Sequence, residues 1–259
     1  MELALLVVLV AVSFAGGAVV TSVGPGGIFV VAALYGLTAL PAAVVAGTSS
    51  VTFIGGSVLG AAGYVYSDDM DWGMALLIGI GGAVGTQLGV LLNGVVSRRS
   101  FGVLLGVLLG TVGATILLRE RGSLDRLPTE ALDVTPTSSA GVVVFGTVGL
   151  LVGAAGGLFG IGGAALVPPA LVLVGVSMIT ALAVTQVAVV FIASASAVSY
   201  TLQGSVAVPL VFAITAGYLL GALGGWRVAK RVDPNRLTTV LGVLLIGLMP
   251  VLVYRSLVL

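Results

Sequence analysis

The sequence predicts an all-α polytopic membrane protein made of two repeats of about five helical segments each, inverted in the sense of a pseudo-two-fold axis in the membrane plane, with short broken helices at its glycine motifs. Three observations carry that prediction. The chain is 59% hydrophobic and only 7% charged, with a mean hydropathy of +1.27, against about 25% charged residues in soluble domains. Apolar segments long enough for a bilayer core of about 30 Å recur along it. A gap-free internal match then relates its two halves at a constant offset, from Gly24 to Gly160.

The elements follow in order. Apolar segments run at 3–21, 26–38, 42–66, 72–96 and 100–118. A polar linker at 119–139 carries Arg119, Glu120, Arg121, Asp125, Arg126, Pro128, Glu130, Asp133 and Pro136. Further apolar segments lie at 140–159, 162–175, 178–202, 206–229 and 237–254. The chain therefore divides into a first transmembrane repeat (1–118), the linker (119–139) and a second repeat (140–259). The N-terminus, Met1-Glu2-Leu3, has no positive leader region, so 3–21 is expected to be a retained span.

Two stretches interrupt the pattern: Gly24-Pro25-Gly26-Gly27 and Gly160-Ile161-Gly162-Gly163. Glycine costs roughly 1 kcal/mol in a helix interior relative to alanine, so each cluster predicts an unwound point. Unwound backbone at membrane depth is tolerated only where it is buried in protein or lines a cavity. The segments after the breaks are short; thirteen helical residues (26–38) rise only about 20 Å. They are expected to be broken helices that begin at Gly26-Gly27 and Gly162-Gly163.

The repeat extends beyond the glycine motifs. At the same offset Val31 falls on Val167 and Tyr64 on Tyr200, while Gly81, Gly85 and Gly89 fall on Gly217, Gly221 and Gly225. Five crossings per half make the repeats inverted, and four make them parallel. With the linker inside, the inverted arrangement collects Arg119, Arg121, Arg126, Arg227, Lys230, Arg231 and Arg236 on the cytoplasmic side, and leaves Arg98, Arg99 and Arg255 outside. That split follows the positive-inside rule more closely than the parallel one does.

Composition also excludes functions. There is no cysteine and no histidine, which removes thiol chemistry, the usual proton shuttle and the commonest metal ligand. No cofactor is expected. A net charge of +1 gives no footprint for nucleic acid. Every charged residue lies in a loop or at a segment end. A cation carrier would normally place a carboxylate mid-membrane. A small anion can instead be held by backbone N–H groups at a helix N-terminus. Gly24, Gly26, Gly27, Gly160, Gly162 and Gly163 are therefore candidate substrate-binding residues. Ser49, Ser50, Thr185 and Gln186, early in the segments after the short helices, are the polar side chains that could complete the site. Gln87 and Asn93 read as interhelical hydrogen bonders, and the glycines spaced by four as helix-packing positions. The partners expected are a small anion and the lipid bilayer of the cell membrane, with a homodimer left open.

A glycine motif followed by an apolar run and Pro168, repeated in two halves with a polar pair such as Thr48-Ser49 about 20 residues on, resembles the TauE/SafE family of membrane proteins. That family is known as sulfite and organosulfonate exporters and related permeases. The resemblance covers nearly the whole chain. It departs at Pro25 and at Thr185-Gln186, where a Thr-Ser pair is typical. It implies about eight spans and export of a small, mostly sulfur-containing anion such as sulfite or an organosulfonate. An anion channel or a permease for a non-sulfur anion would share these features. An enzyme lacks its usual residues here.

Overall fold

The computed structural model describes residues 3–22, 26–120, 135–229 and 234–258. These form ten α-helices: α1 (Leu3–Ser22), α2 (Gly27–Leu37), α3 (Ala42–Tyr64), α4 (Trp72–Val95), α5 (Arg98–Glu120), α6 (Ser139–Phe159), α7 (Val167–Leu173), α8 (Met178–Leu202), α9 (Val208–Ala229) and α10 (Pro234–Val258). The described residues contain no strand. Seven helices are long and apolar enough to cross a membrane, while α2 is a shorter apolar helix. Large apolar side chains such as Leu91, Val95, Val143 and Phe212 are more than two-thirds exposed. In a bilayer that outer surface meets lipid rather than water.

Local chemistry sets several helix starts. The Asp71 carboxylate accepts the Met74 N–H at 2.9 Å and caps α4. Ser138 and Ser177 cap α6 and α8 in the same way, accepting from Gly141 and Thr180. Asp71 thus has a structural partner, and in the turn before it Asp69 accepts from the Ser67 hydroxyl at 3.0 Å.

Glycine contacts define the packing. A methyl group at Gly81, Gly85 or Gly89 of α4 would collide with the α6 backbone at Gly146, Leu150 or Ala154. Both numbers rise together, so α4 and α6 run parallel. Likewise Gly217 and Gly221 of α9 lie on Val10 and Phe14 of α1. Close approach of this kind replaces hydrophobic burial as the force between helices in lipid. Adding 136 to the first-half member of a pair and subtracting it from the second-half member of the same pair interchanges the pairs Val10–Gly217 and Gly146–Gly81. The same exchange relates Phe14–Gly221 to Leu150–Gly85 and Gly17–Tyr218 to Gly153–Gly82.

The central helices run the other way. Gly47 lies on Tyr200, Ser50 on Ser196 and Gly60 on Gln186, so α3 and α8 are antiparallel. Gly106 lies on Met249 and Gly113 on Gly242, so α5 and α10 are antiparallel too. One buried cluster joins the halves: Ile28 of α2, Phe53 of α3, Val189 and Ala193 of α8, and Ile161, Ala164 and Ala165 of the second break.

Arg98, at the head of α5, closes the other end of α2. Its half-buried guanidinium donates to the carbonyls of Tyr35 (2.9 Å), Thr38 (2.6 Å) and Leu40, and sits 4.7 Å from the Tyr35 ring centroid. A cation there complements the negative end of the helix dipole. Pro234 occupies the matching position of the second half, so this latch has no counterpart.

Candidate functional site

The break between α6 and α7 is built by glycine. Gly160 ends α6 at φ 71°, and its N–H and that of Ile161 both donate to the Gly156 carbonyl, at 2.8 and 3.2 Å. After Ile161, which is not in the left-handed region, Gly162 (φ 64°) and Gly163 (φ 81°) return to it, at a cost of about 1–2 kcal/mol per residue for any side chain with a Cβ. The chain resumes a right-handed helix only at Val167. The expectation that Gly162-Gly163 begin the second short helix is therefore corrected. Positive φ excludes them from it, and Pro168 and Pro169, which have no N–H to leave unpaired, form its first turn.

This correction moves the donors. Leu166 and Val167 donate to the Gly163 carbonyl at 2.9 and 3.0 Å. The N–H groups of Gly162, Gly163, Ala164 and Ala165 donate to no described group. All four residues are buried. A buried donor without an acceptor costs about 1–3 kcal/mol. Successive backbone N–H groups in a turn of this kind form an anion-binding concavity. Small residues keep it close-packed yet approachable: a methyl group on Gly156 would sit 3.1 Å from the Gly163 nitrogen, and one on Gly160 would strike the Ala46 carbonyl.

Two side chains hold the end of α6 in place. The buried Tyr200 hydroxyl donates to the Gly157 carbonyl at 2.8 Å, and the Asn93 amide donates to that of Leu158 at 2.7 Å. Sequence reasoning gave Asn93 an interhelical hydrogen bond, which it makes, and noticed Tyr200 only as the repeat partner of Tyr64. A polar ring late in an apolar span was the available signal. Gln87 also bonds between helices, accepting from Ser199 at 2.8 Å.

The α3 and α8 side chains divide into engaged and unengaged groups. Ser50 donates to the Ala46 carbonyl (2.8 Å) and shares a 2.7 Å bond with Ser196. Thr185 donates to the Ala181 carbonyl at 2.5 Å. Thr48 accepts the Ala207 N–H at 3.0 Å. Ser49 differs from its neighbours. Ser50, Thr52 and Ser57 all bond the carbonyl four residues back, yet the fully buried Ser49 hydroxyl has no partner among the described residues. Gln186 is 8% exposed, packs its amide against Gly60 and bonds no described group.

Each break meets a helix face that carries a candidate hydroxyl one turn earlier. A methyl group on Gly162 would lie 3.1 Å from Val189, four residues after Thr185. One on Gly27 would lie 3.2 Å from the Phe53 ring, four residues after Ser49. Residues four apart share a helix face. The first break is otherwise tighter. Gly26 has a right-handed φ of −64° and packs on the α1 backbone at Gly16 and Val20. Gly24 lies outside the described residues. No group of three or more His, Cys, Asp or Glu side chains able to hold a metal ion occurs among the described residues.

The site as built is neutral, buried, rich in donors and set between the two halves. Residues 9–251 match the family model described as "Sulfite exporter TauE/SafE". The chain is also similar to the probable membrane transporter protein YunE of Bacillus subtilis (strain 168), at 24% identity over 271 residues, covering 96% of this chain and 98% of that protein. No solved structure matches the chain.

Proposed function

Given that the chain belongs to the sulfite exporter TauE/SafE family and is a multi-pass membrane transporter, we propose that its cargo is a small oxyanion, sulfite or an organosulfonate, exported through the α6–α7 break. One observation carries this reading: four consecutive buried N–H groups, Gly162 to Ala165, without an acceptor. The anion's oxygens accept from them and from the Ser49 hydroxyl; the Gln186 amide packs against Gly60, about three turns along α3 from Ser49, too far to share the same anion.

The contact pattern supports an inverted repeat. Equivalent helices α3 and α8, and α5 and α10, run antiparallel, as a two-fold axis in the membrane plane requires. Alternating access then follows from rocking the group α1, α2, α3 and α9 against the group α4, α6, α7 and α8 along the α3–α8 contact. The charge economy of the site supports a monoanion. Partial charges alone cannot offset the desolvation of a dianion in a low-dielectric interior, so bisulfite or a monosulfonate fits better than sulfate.

Thermal unfolding of the purified protein across sulfite, thiosulfate, sulfate, methanesulfonate and acetate tests the cargo. Saturable stabilisation by sulfite or a monosulfonate, with little from sulfate, is expected. Stabilisation by acetate alone would move the assignment to a non-sulfur anion.

A further inference from the structure

Two buried side-chain atoms lack a hydrogen-bond partner among the described residues, and they have opposite chemical sense. One is the Ser49 hydroxyl, which can donate; the other is Asn93 Oδ1, which can only accept. Asn93 is 3% exposed. Its amide orientation is fixed, because Nδ2 donates to the Leu158 carbonyl at 2.7 Å. An unpartnered buried amide oxygen costs about 1–3 kcal/mol, and an anion cannot relieve it. A cation or a donor must.

The surroundings favour a cation. Asn93 sits at the C-terminal end of α6, the negative end of that helix's dipole. The last carbonyls of α6 are taken in turn: Gly156 by the Gly160 and Ile161 N–H groups, Gly157 by Tyr200, Leu158 by Asn93 itself. The next carbonyl, that of buried Phe159, accepts from no described group. Hard, neutral oxygens without a carboxylate suit a monovalent ion, since divalent ions draw acidic ligands. Unwound backbone and helix C-termini provide such sites in secondary transporters. The matching position in the second half is Ala229, so the feature occurs once.

We propose that Asn93 Oδ1 and the Phe159 carbonyl at the C-terminal end of α6 form a sodium site, and that sodium bound there strengthens anion binding at the adjoining turn. The second clause rests on the anion reading above; the first does not. Sodium places a full positive charge beside donors that otherwise offer only partial ones. The glycine turn connects the two sites directly.

The test compares thermal unfolding of the purified protein in sodium chloride and choline chloride at equal ionic strength, followed by sulfite titration in each salt. A saturable sodium-dependent rise in Tm is expected without any sulfite. Asn93→Leu should abolish that rise, and Asn93→Asp should produce it at lower sodium, which covers the case where the leucine variant fails to fold. Sulfite should bind about fivefold or more tightly in sodium than in choline, within the usual range of coupling between sites. Equal Tm in the two salts, or a sodium response that survives in Asn93→Leu, would overturn the site. Sulfite binding unaffected by sodium in a protein that does respond to sodium would overturn the coupling. A sodium response with no sulfite binding under any condition would refute the cargo and leave the sodium site standing.

Discussion

The hydroxyls of Ser50 and Ser196 share a 2.7 Å hydrogen bond between α3 and α8, 146 residues apart in sequence. Its counterpart at the repeat offset is the contact between Gln186 and Gly60. These antiparallel helices join the group α1, α2, α3 and α9 to the group α4, α6, α7 and α8. The chain has no cysteine, so Ser50→Cys together with Ser196→Cys gives the protein its sole thiol pair. Oxidation should cross-link them nearly quantitatively and stop transport, and reduction should restore it. A mobility shift on denaturing gels after cleavage in the 119–139 linker reads the cross-link. Its failure to form would mean that α3 and α8 do not pack this way.

Ser49 and Ser50 are neighbours with opposite predicted roles. Ser50→Ala breaks two bonds and should destabilise the protein by about 1–3 kcal/mol, with anion affinity little changed. Ser49→Ala removes no intramolecular bond and should leave the unliganded Tm unchanged or raised. It should weaken anion binding about tenfold, the equivalent of 1.4 kcal/mol. Paired unfolding and titration measurements check this; a reversed pattern would show that Ser49 is structural.

Gly162 should tolerate no side chain. Alanine forces a Cβ into left-handed backbone at about 1–2 kcal/mol, and its methyl group closes on Val189. Gly162→Ala should lower Tm measurably and slow transport. Gly162→Leu should abolish transport while the protein still inserts. Wild-type rates in the leucine variant would place the cargo path elsewhere.

Arg98 should matter for stability more than any other arginine among the described side chains. Arg98→Met removes three charge-assisted bonds from the end of α2, each worth up to about 1.5–3 kcal/mol when it is buried. A loss of about 2–3 kcal/mol is expected, read by thermal unfolding, with Arg99→Met as the near-silent control.

Lower pH offers a test on the substrate's side. With no titrating residue at the site, apparent sulfite affinity should rise as pH falls toward the second ionisation of sulfite. Affinity for methanesulfonate, which stays a monoanion, should stay flat. Identical profiles for both would point to a protein group.

Much of this architecture was legible because membrane sequences obey few rules strictly. Ten apolar segments became ten helices, since lipid forces backbone bonds to close within each segment. The packing role of Gly81, Gly85 and Gly89 followed from their spacing alone. The second break was read less well. Its glycines pointed to unwinding, but the start of α7 at Val167 depends on successive positive φ values that composition does not encode. Nor did sequence separate Ser49 from Ser50. One hydroxyl is satisfied by Ser196, a residue set opposite it only by the antiparallel packing of α3 and α8.

Counterflow of radiolabelled sulfite in proteoliposomes tests the central claim most directly. Vesicles of wild-type protein preloaded with unlabelled sulfite should accumulate label transiently, and vesicles of Gly162→Leu should not. Absence of counterflow in the wild type for sulfite and methanesulfonate alike, or equal counterflow in the variant, would contradict carriage of a small anion through the α6–α7 break.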